Sequence, residues 1–342
     1  MSDITQVYLI TGFLGAGKTT FLNRIIDRFP RSKKLTLLVN EFGEIGVDGT
    51  LVEGEDIDML EISKGSIFCV CVKTDFIKGL YQLSTTVKPD VLLIESTGVA
   101  NPSDLKKDLK LPIFSDRFHF KEQFCIIDAP HFMGAYDVYA SLEKQIASST
   151  VFIINKIDKA SPDSIAATKE IVRKFHPQPL FFETTYADIP LDDFFDFSLE
   201  TAAEIPGASS GGKMGVLSAG ELDQFLDDLL ESPDLEITPP DLLMSVAYQW
   251  TGKNPEQIKA MAKALPDSVV RAKGFIEQEG KMLLFNFVLG DWSIEDPRIP
   301  GERVQHKNVI VFIGPPASMD GIEAATQSGS WIHLGAHQPF SQ

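Results

Sequence analysis

Cysteine is scarce in this 342-residue chain: there are three, Cys69, Cys71 and Cys125. An odd and sparse set does not make the disulfide framework of a secreted domain. A Cys69 to Cys71 bridge would also be strained in an extended segment, where alternate residues share a face but their Cα atoms stand ~6.5 to 7 Å apart. Basic residues are outnumbered, 31 Lys and Arg against 48 Asp and Glu, giving a formal net charge of -17. That surplus repels phosphate backbones and anionic lipid, so neither nucleic acid nor a membrane surface is an expected partner. Apolar runs stay short of the ~18 residues of a spanning helix, and "MSDITQVYLITGFLGAGK" lacks both a basic n-region and an A-x-A-like cleavage site. The expected location is therefore the cytoplasm. Internal repeats and low-complexity tracts are absent as well.

What is present is an ordinary globular composition, 44% hydrophobic and 23% charged, in a chain long enough for two domains. Apolar runs bounded by turn chemistry recur at 6–11, 35–40, 91–96, 124–129 and 151–156. They are continuous rather than alternating, which is the pattern of strands covered on both faces of a parallel sheet. Helical stretches separate them. "TTFLNRIIDRF" sets Phe21, Ile25, Ile26 and Phe29 on one stripe, and Ser161-Pro162 opens another helix with a cap followed by proline. Residues 1–197 thus read as a doubly wound α/β domain with a mainly parallel sheet. Residues 198–240 read as a linker with one amphipathic helix, which Ser218 and Glu221 start at capping-box spacing. From 241 to 342 a helix and hairpin-connected strands, with "EQEGK" as one turn, indicate a smaller α+β domain.

The first strand runs into "GFLGAGKTT", which fits G-x-x-x-x-G-K-[ST] through Gly12, Gly17, Lys18 and Thr19. Glycine lets the backbone wrap a phosphate closely enough for its N–H groups to point inward. Gly12, Gly15, Ala16, Gly17, Lys18, Thr19 and Thr20 are the expected phosphate binders. Lys18 would neutralise the β- and γ-phosphates while the Thr19 hydroxyl holds Mg²⁺. "DVLLIESTG" places Glu95 at a strand end, where its carboxylate can act on the magnesium shell, and Gly98 can offer a backbone N–H to the γ-phosphate. Lys18, Glu95 and Gly98 are the catalytic candidates. Asn155, Lys156 and Asp158, in "NKID", form a guanine-reading loop: an Asp carboxylate can accept from the ring N1–H and exocyclic amine that adenine does not offer. "TTYA" at 184–187 is a weaker candidate for the remaining base-side loop, and Glu41, Glu44 and Asp48 are candidate switch or metal carboxylates in "NEFGEIGVDG". GTP is the expected nucleotide.

The set "GFLGAGKTT", "NEFGEIGVDG", "ESTGVANP", "QIASSTVFIINKID", "RAKGF" (271–275) and "VFIG" (311–314) resembles the CobW family of metal-chaperone GTPases. The resemblance extends over nearly the whole chain. It implies slow, Mg²⁺-dependent GTP hydrolysis, cycling between GTP and GDP, coupled to handling Zn, Co or Ni or to maturing a client metalloenzyme or corrinoid protein. The oligomeric state is left open.

Two features of that family are altered here. Its metal motif, G-C-x-C-C, aligned on Gly65, meets Ser66 and Phe68 at two cysteine positions; Cys69 alone matches, and Cys71 is additional. The histidine-rich interdomain tract is also missing, since residues 198–240 contain no histidine. Two readings of "GSIFCVCVKTD" stay open. Cys69 and Cys71 on one face of an extended segment, with Glu41 as a third ligand, make a transition-metal site; alternatively the segment is a plain buried strand, and the protein is a GTP-gated scaffold with no metal cargo. His333 and His337, at i, i+4 spacing in "WIHLGAH", could pair on a metal if helical, but the glycine between them favours an exposed tail. Cys125 reads as core.

Overall fold

The computed structural model describes residues 4–40, 58–62, 70–96, 102–197, 217–230, 243–297, 304 and 306–337. They divide into two compact units, the first ending at residue 230 and the second beginning at 243.

The first unit contains β1 (Thr5–Gly12), α1 (Lys18–Arg28), β2 (Leu35–Asn40), β3 (Asp58–Ile62), α2 (Val70–Gln82), β4 (Val91–Glu95), α3 (Pro102–Asp108) and β5 (Phe118–Asp128). It continues through α4 (Phe132–Tyr136), α5 (Ala140–Ser148), β6 (Val151–Asn155), α6 (Pro162–Phe175), β7 (Leu180–Glu183) and α7 (Ala219–Leu230). Seven strands form one sheet in the order β3-β2-β4-β1-β5-β6-β7, and every pairing is parallel. This is the doubly wound α/β sheet that the continuous apolar runs predict: β4 and β6 are buried at every residue. Two edge strands, β3 and β7, are additional to the runs legible in the sequence.

Alternation along the strands divides the core in two. Val7, Leu9, Leu92 and Ile94 face α2, α3 and α7 through Phe76, Leu80, Leu105 and Leu226. On the other face an aromatic cluster joins the sheet to α1: Phe124 lies 5.0 Å from Phe21 and 5.1 Å from Phe194, and Tyr8 lies 4.3 Å from Phe195. The helix expected in the interdomain stretch is α7, and it starts on its capping box, with Glu221 Oε2 accepting from Ser218 N at 2.7 Å. It packs on α2 rather than standing in solvent: Leu226 is buried, Asp223 meets Lys78 at 2.8 Å, and the Leu217 N–H donates to the Tyr81 hydroxyl.

The segment around the paired cysteines departs from expectation. An extended strand is anticipated through Val70, Cys71 and Val72, but these residues form the first turn of α2. The pairing of Cys69 with Cys71 cannot be read from this helix, which begins at Val70. Cys69 and Glu41 lie outside the described residues, as do Glu44, Asp48 and Gly98.

The second unit contains β8 (Met244–Trp250), α8 (Glu256–Ala264), β9 (Arg271–Gln278), β10 (Lys281–Val288), β11 (Asp291–Glu295), β12 (Val309–Gly314), α9 (Met319–Thr326) and β13 (Trp331–His337). Its strands form an antiparallel sheet in the order β11-β10-β9-β12-β8-β13. Two tight hairpins build one half of it, each with two positive-φ residues at the corner: Glu279 and Gly280 in "EQEGK", then Leu289 and Gly290. Ile258, Met261 and Ile322 of α8 and α9 pack on the sheet. The expectation of a tail at His333 and His337 is corrected: both lie in β13, and the His333 ring stands 5.0 Å from that of Tyr248.

Candidate functional site

The C-terminal ends of the parallel strands bring four loops to one edge of the first sheet, the edge at which doubly wound folds bind ligands. β1 delivers the phosphate loop. Gly12, Gly15 and Gly17 all have positive φ, at 142°, 78° and 112°. A Cβ on Gly12 would stand 2.2 Å from the Ile126 carbonyl oxygen, and one on Gly17 would stand 2.5 Å from Asn155 Nδ2. Glycine is therefore demanded twice over, by conformation and by space. The loop ends at Lys18, the first residue of α1, and no side chain caps that helix start. Its orphan N–H groups and the helix dipole suit an anion.

Lys18 is buried, and its Nζ donates to the carbonyls of Gly12 at 3.0 Å and Phe13 at 3.2 Å. The ammonium thus folds back over the loop, placed to meet a phosphate that enters it. Thr19 is half-buried beside it and Thr20 is exposed. Glu95 is buried at the end of β4, and the β1–β4 register sets it beside Ile10, two residues before the loop. Ser96 seals that corner, its N–H donating to Ile10 O at 3.0 Å. A hydroxyl and a carboxylate are hard oxygen donors, and the pair fits Mg²⁺.

β6 delivers "NKID". Asn155 is buried, and both ends of its amide are occupied by backbone: Nδ2 donates to Ala16 O at 2.8 Å, and Oδ1 accepts from Ala187 N at 2.9 Å. One side chain thereby ties the phosphate loop, "NKID" and "TTYA" together. Asp158 is exposed, in a single 3₁₀ turn over Ile157–Lys159. Lys156 has φ 60°, a left-handed conformation costly for a residue with a Cβ. "TTYA" closes the corner with two further left-handed residues, Tyr186 and Ala187, while Ile157 N donates to Thr184 O at 3.3 Å.

Two features were not read from the sequence. The first is a row of ion pairs in which α1 and the segment just after it clip the strand-end segment that follows "TTYA": Arg24 to Asp188 at 3.0 Å, Arg28 to Asp192 at 2.7 Å and Lys33 to Asp196 at 2.9 Å. Arg24 Nε also donates to Tyr186 O at 2.7 Å. The second is Asp128 at the end of β5. This buried carboxylate takes the Lys156 ammonium at 2.8 Å and stands 3.2 Å from His131 Nδ1. Burial alone would raise its pKa, but the neighbouring His131 and the charge and hydrogen bond of Lys156 outweigh burial and hold it below the usual carboxylate value. The signal that singled out Glu95, an acid at the end of a buried apolar run, is equally present in "FCIIDAPH".

Among the described residues no helix is long and apolar enough to cross a membrane, and no group of three or more His, Cys, Asp or Glu residues is gathered as a bound metal ion would need.

The family model for the CobW/HypB/UreG nucleotide-binding domain matches residues 6–183, from β1 through β7. The chain belongs to this family. Its first unit thus carries that family's nucleotide-binding domain, and the model for the cobalamin synthesis protein CobW C-terminal domain matches residues 245–328 of its second unit. Among curated relatives of this CobW-type chain, the zinc chaperone YeiR of Escherichia coli is 28% identical over 218 residues, 64% of this chain and 66% of the relative. The zinc chaperone YjiA of the same organism is 25% identical over 330 residues, 93% and 96% of the two chains. The alignments with YeiR and with the CobW zinc chaperone of Pseudomonas aeruginosa span 66% and 62% of those relatives. Among solved structures, Zn(II)-bound YjiA GTPase from E. coli aligns over 94% of this chain and 98% of its own, at 20% identity and a TM-score of 0.42.

Proposed function

We propose that the protein hydrolyses GTP to GDP and phosphate in a Mg²⁺-dependent cycle that gates the handling of a transition metal, Zn²⁺ first and Co²⁺ or Ni²⁺ as alternatives, for a client metalloenzyme or corrinoid protein in the cytoplasm. The observation that carries the nucleotide half is Asn155, whose amide joins the phosphate loop to the two base-side loops. The metal half rests on the relatives whose names describe zinc chaperones.

In this reading the backbone N–H groups of Gly15 through Thr20 cradle the phosphates, and Lys18 leaves its two carbonyl partners to neutralise charge on the β- and γ-phosphoryl oxygens. Thr19 and Glu95 would hold the Mg²⁺. Mg²⁺, when bound, supplies electrostatic stabilisation of the charge that develops on the bridging oxygen. Gly98 hinges the loop that senses the γ-phosphate. Asp158 accepts from the guanine N1–H and exocyclic amine, while Asn155, with both ends engaged by backbone, acts on the base through the loops it ties. The deciding test is Asp158→Asn, which should lower the preference for GTP over ATP by about 10²-fold or more, the discrimination expected of a site built to hydrogen-bond one base. An unchanged preference would sink the guanine reading.

The cysteine motif favours a second reading. With Ser66 and Phe68 at two motif positions, the chain suits a GTP-gated scaffold that carries no metal. Titration of the reduced protein with Zn²⁺ in its apo, GDP and GTP-analogue forms separates the two: a tight site lost in the Cys69→Ser, Cys71→Ser variant supports metal handling, and no site in any form supports the scaffold.

A further inference from the structure

Asp128 has a place in the site that no motif assigns. It is the last residue of β5, and the parallel register pairs it with Asn155, the first residue of "NKID". Its Oδ2 accepts from Lys156 Nζ at 2.8 Å, its other oxygen stands 3.2 Å from His131 Nδ1, and its side chain is 3% exposed against 26% for Lys156. The lysine is thus stretched from the loop surface down to a carboxylate fixed in the sheet. A charge-assisted contact of this kind, made to an immobile partner, locks the intervening methylenes.

We propose that Asp128 is a positioning residue for guanine-nucleotide binding: it fixes the stem of Lys156 as one wall of the base slot before the nucleotide arrives. The inference rests on the GTP-site reading above. A lysine side chain has much rotamer freedom to lose, and here it is lost on folding rather than on binding the nucleotide. Lys156 also sits in a left-handed backbone conformation, which the surrounding structure must impose. The Asp128 contact and the Ile157 N–H bond to Thr184 O, on either side of the turn, are two such constraints. His131 Nδ1 stands 3.2 Å from the other oxygen, so Lys156 is the neighbour that hydrogen-bonds the buried carboxylate. The ion pair therefore serves both the core and the loop, and the affinity readouts below separate the two.

The test is a double-mutant cycle on the full chain with Asp128→Ala, Lys156→Ala and the double variant, reading the Kd for fluorescent GDP, the KM and kcat for GTP, and the melting temperature. Each single variant should raise the Kd and KM about tenfold, a coupling in the range for directly contacting residues, with kcat within twofold. The double variant should be no weaker than Lys156→Ala alone. Asp128→Asn retains volume and one acceptor and should show a smaller loss that also vanishes in the Lys156→Ala background; it serves as the test if Asp128→Ala does not fold. Unchanged GDP affinity, a loss that multiplies in the double variant, or a fall in kcat at constant KM would each overturn the assignment. A wild-type protein that binds ATP as well as GTP would instead remove the guanine reading beneath it, which keeps the two failures apart.

Discussion

Asn155→Ala is the perturbation that most directly interrogates the site. The wild-type amide donates to Ala16 O at 2.8 Å and accepts from Ala187 N at 2.9 Å, with Asn155 2% exposed and Ala187 fully buried. Truncation leaves one carbonyl and one N–H without that partner in a site largely closed to water. At about 1 to 2 kcal/mol for each stranded group, the loss is about 2 to 4 kcal/mol. For a domain of this size that corresponds to a fall in Tm of about 4 to 16 °C. The same loss frees the phosphate loop and "TTYA" from each other, so GDP must reorder them and its affinity should fall by about 30-fold or more. Asn155→Asp refines the prediction: it keeps the acceptor for Ala187 N but sets a carboxylate oxygen against Ala16 O. It should damage the phosphate loop at least as much as alanine does. Thermal unfolding with and without GDP, together with a GDP titration, reads both quantities. An Asn155→Ala protein with wild-type Tm and GDP affinity would refute the reasoning that this side chain ties the three loops.

Other perturbations reach the same architecture from different sides. Gly12→Ala drives a Cβ to 2.2 Å from a backbone carbonyl at φ 142°, so it should abolish GDP binding and lower stability by at least ~2 kcal/mol, read by titration and melting. Leu226→Ala in α7 removes a side chain 2% exposed in the α2 core and should cost about 2 to 4 kcal/mol in a denaturant melt; a result below ~0.5 kcal/mol would mean that α7 is dispensable to the first unit. Burial pushes the Cys125 thiol up to about 12, so in the Cys69→Ser, Cys71→Ser variant no thiol should react with a maleimide at pH 7.5 in native protein and one should react after denaturation.

Legibility from sequence followed the local character of each signal. β1, β2, β4, β5 and β6 are central strands whose two buried faces force continuous apolar runs, and those runs located them. β3, "DMLEI", and β7, "LFFE", are short edge strands that mix polar and apolar residues, so neither period announces them. β13 was hidden by Gly335, which sits at a register shift, and by a histidine spacing that also suits a helix. The run ending in "CVCV" misled for a related reason: valine and cysteine are common in strands, and the start of α2 offers no capping residue to contradict that pattern. At the site, the glycines and Lys18 were legible because close approach of backbone to phosphate leaves no other residue choice. The strut made by Asn155 and the anchor made by Asp128 were not. Both depend on β5 lying beside β6 and on loops far apart in sequence, and strand order is a property of the folded sheet.

The clips from Arg24, Arg28 and Lys33 to Asp188, Asp192 and Asp196 give α1 a second duty. The helix that begins at the phosphate loop also grips, through Arg24, the carbonyl of Tyr186 on the base-side turn. Under the proposed function it is a bracket that touches both the phosphate-side and the base-side loops. The bracket is uneven in strength. Its loop end is made of backbone turns that only glycine can form, whereas at its far end the Arg24 and Arg28 pairs face solvent, are worth about 0.2 to 1 kcal/mol apiece and weaken in molar salt, with only the Lys33 ammonium tucked in. Under the proposed GTP-site reading, concentrated salt should therefore slacken the base-side turn before the glycine loop, and selectivity among nucleotides should decline before nucleotide binding itself does.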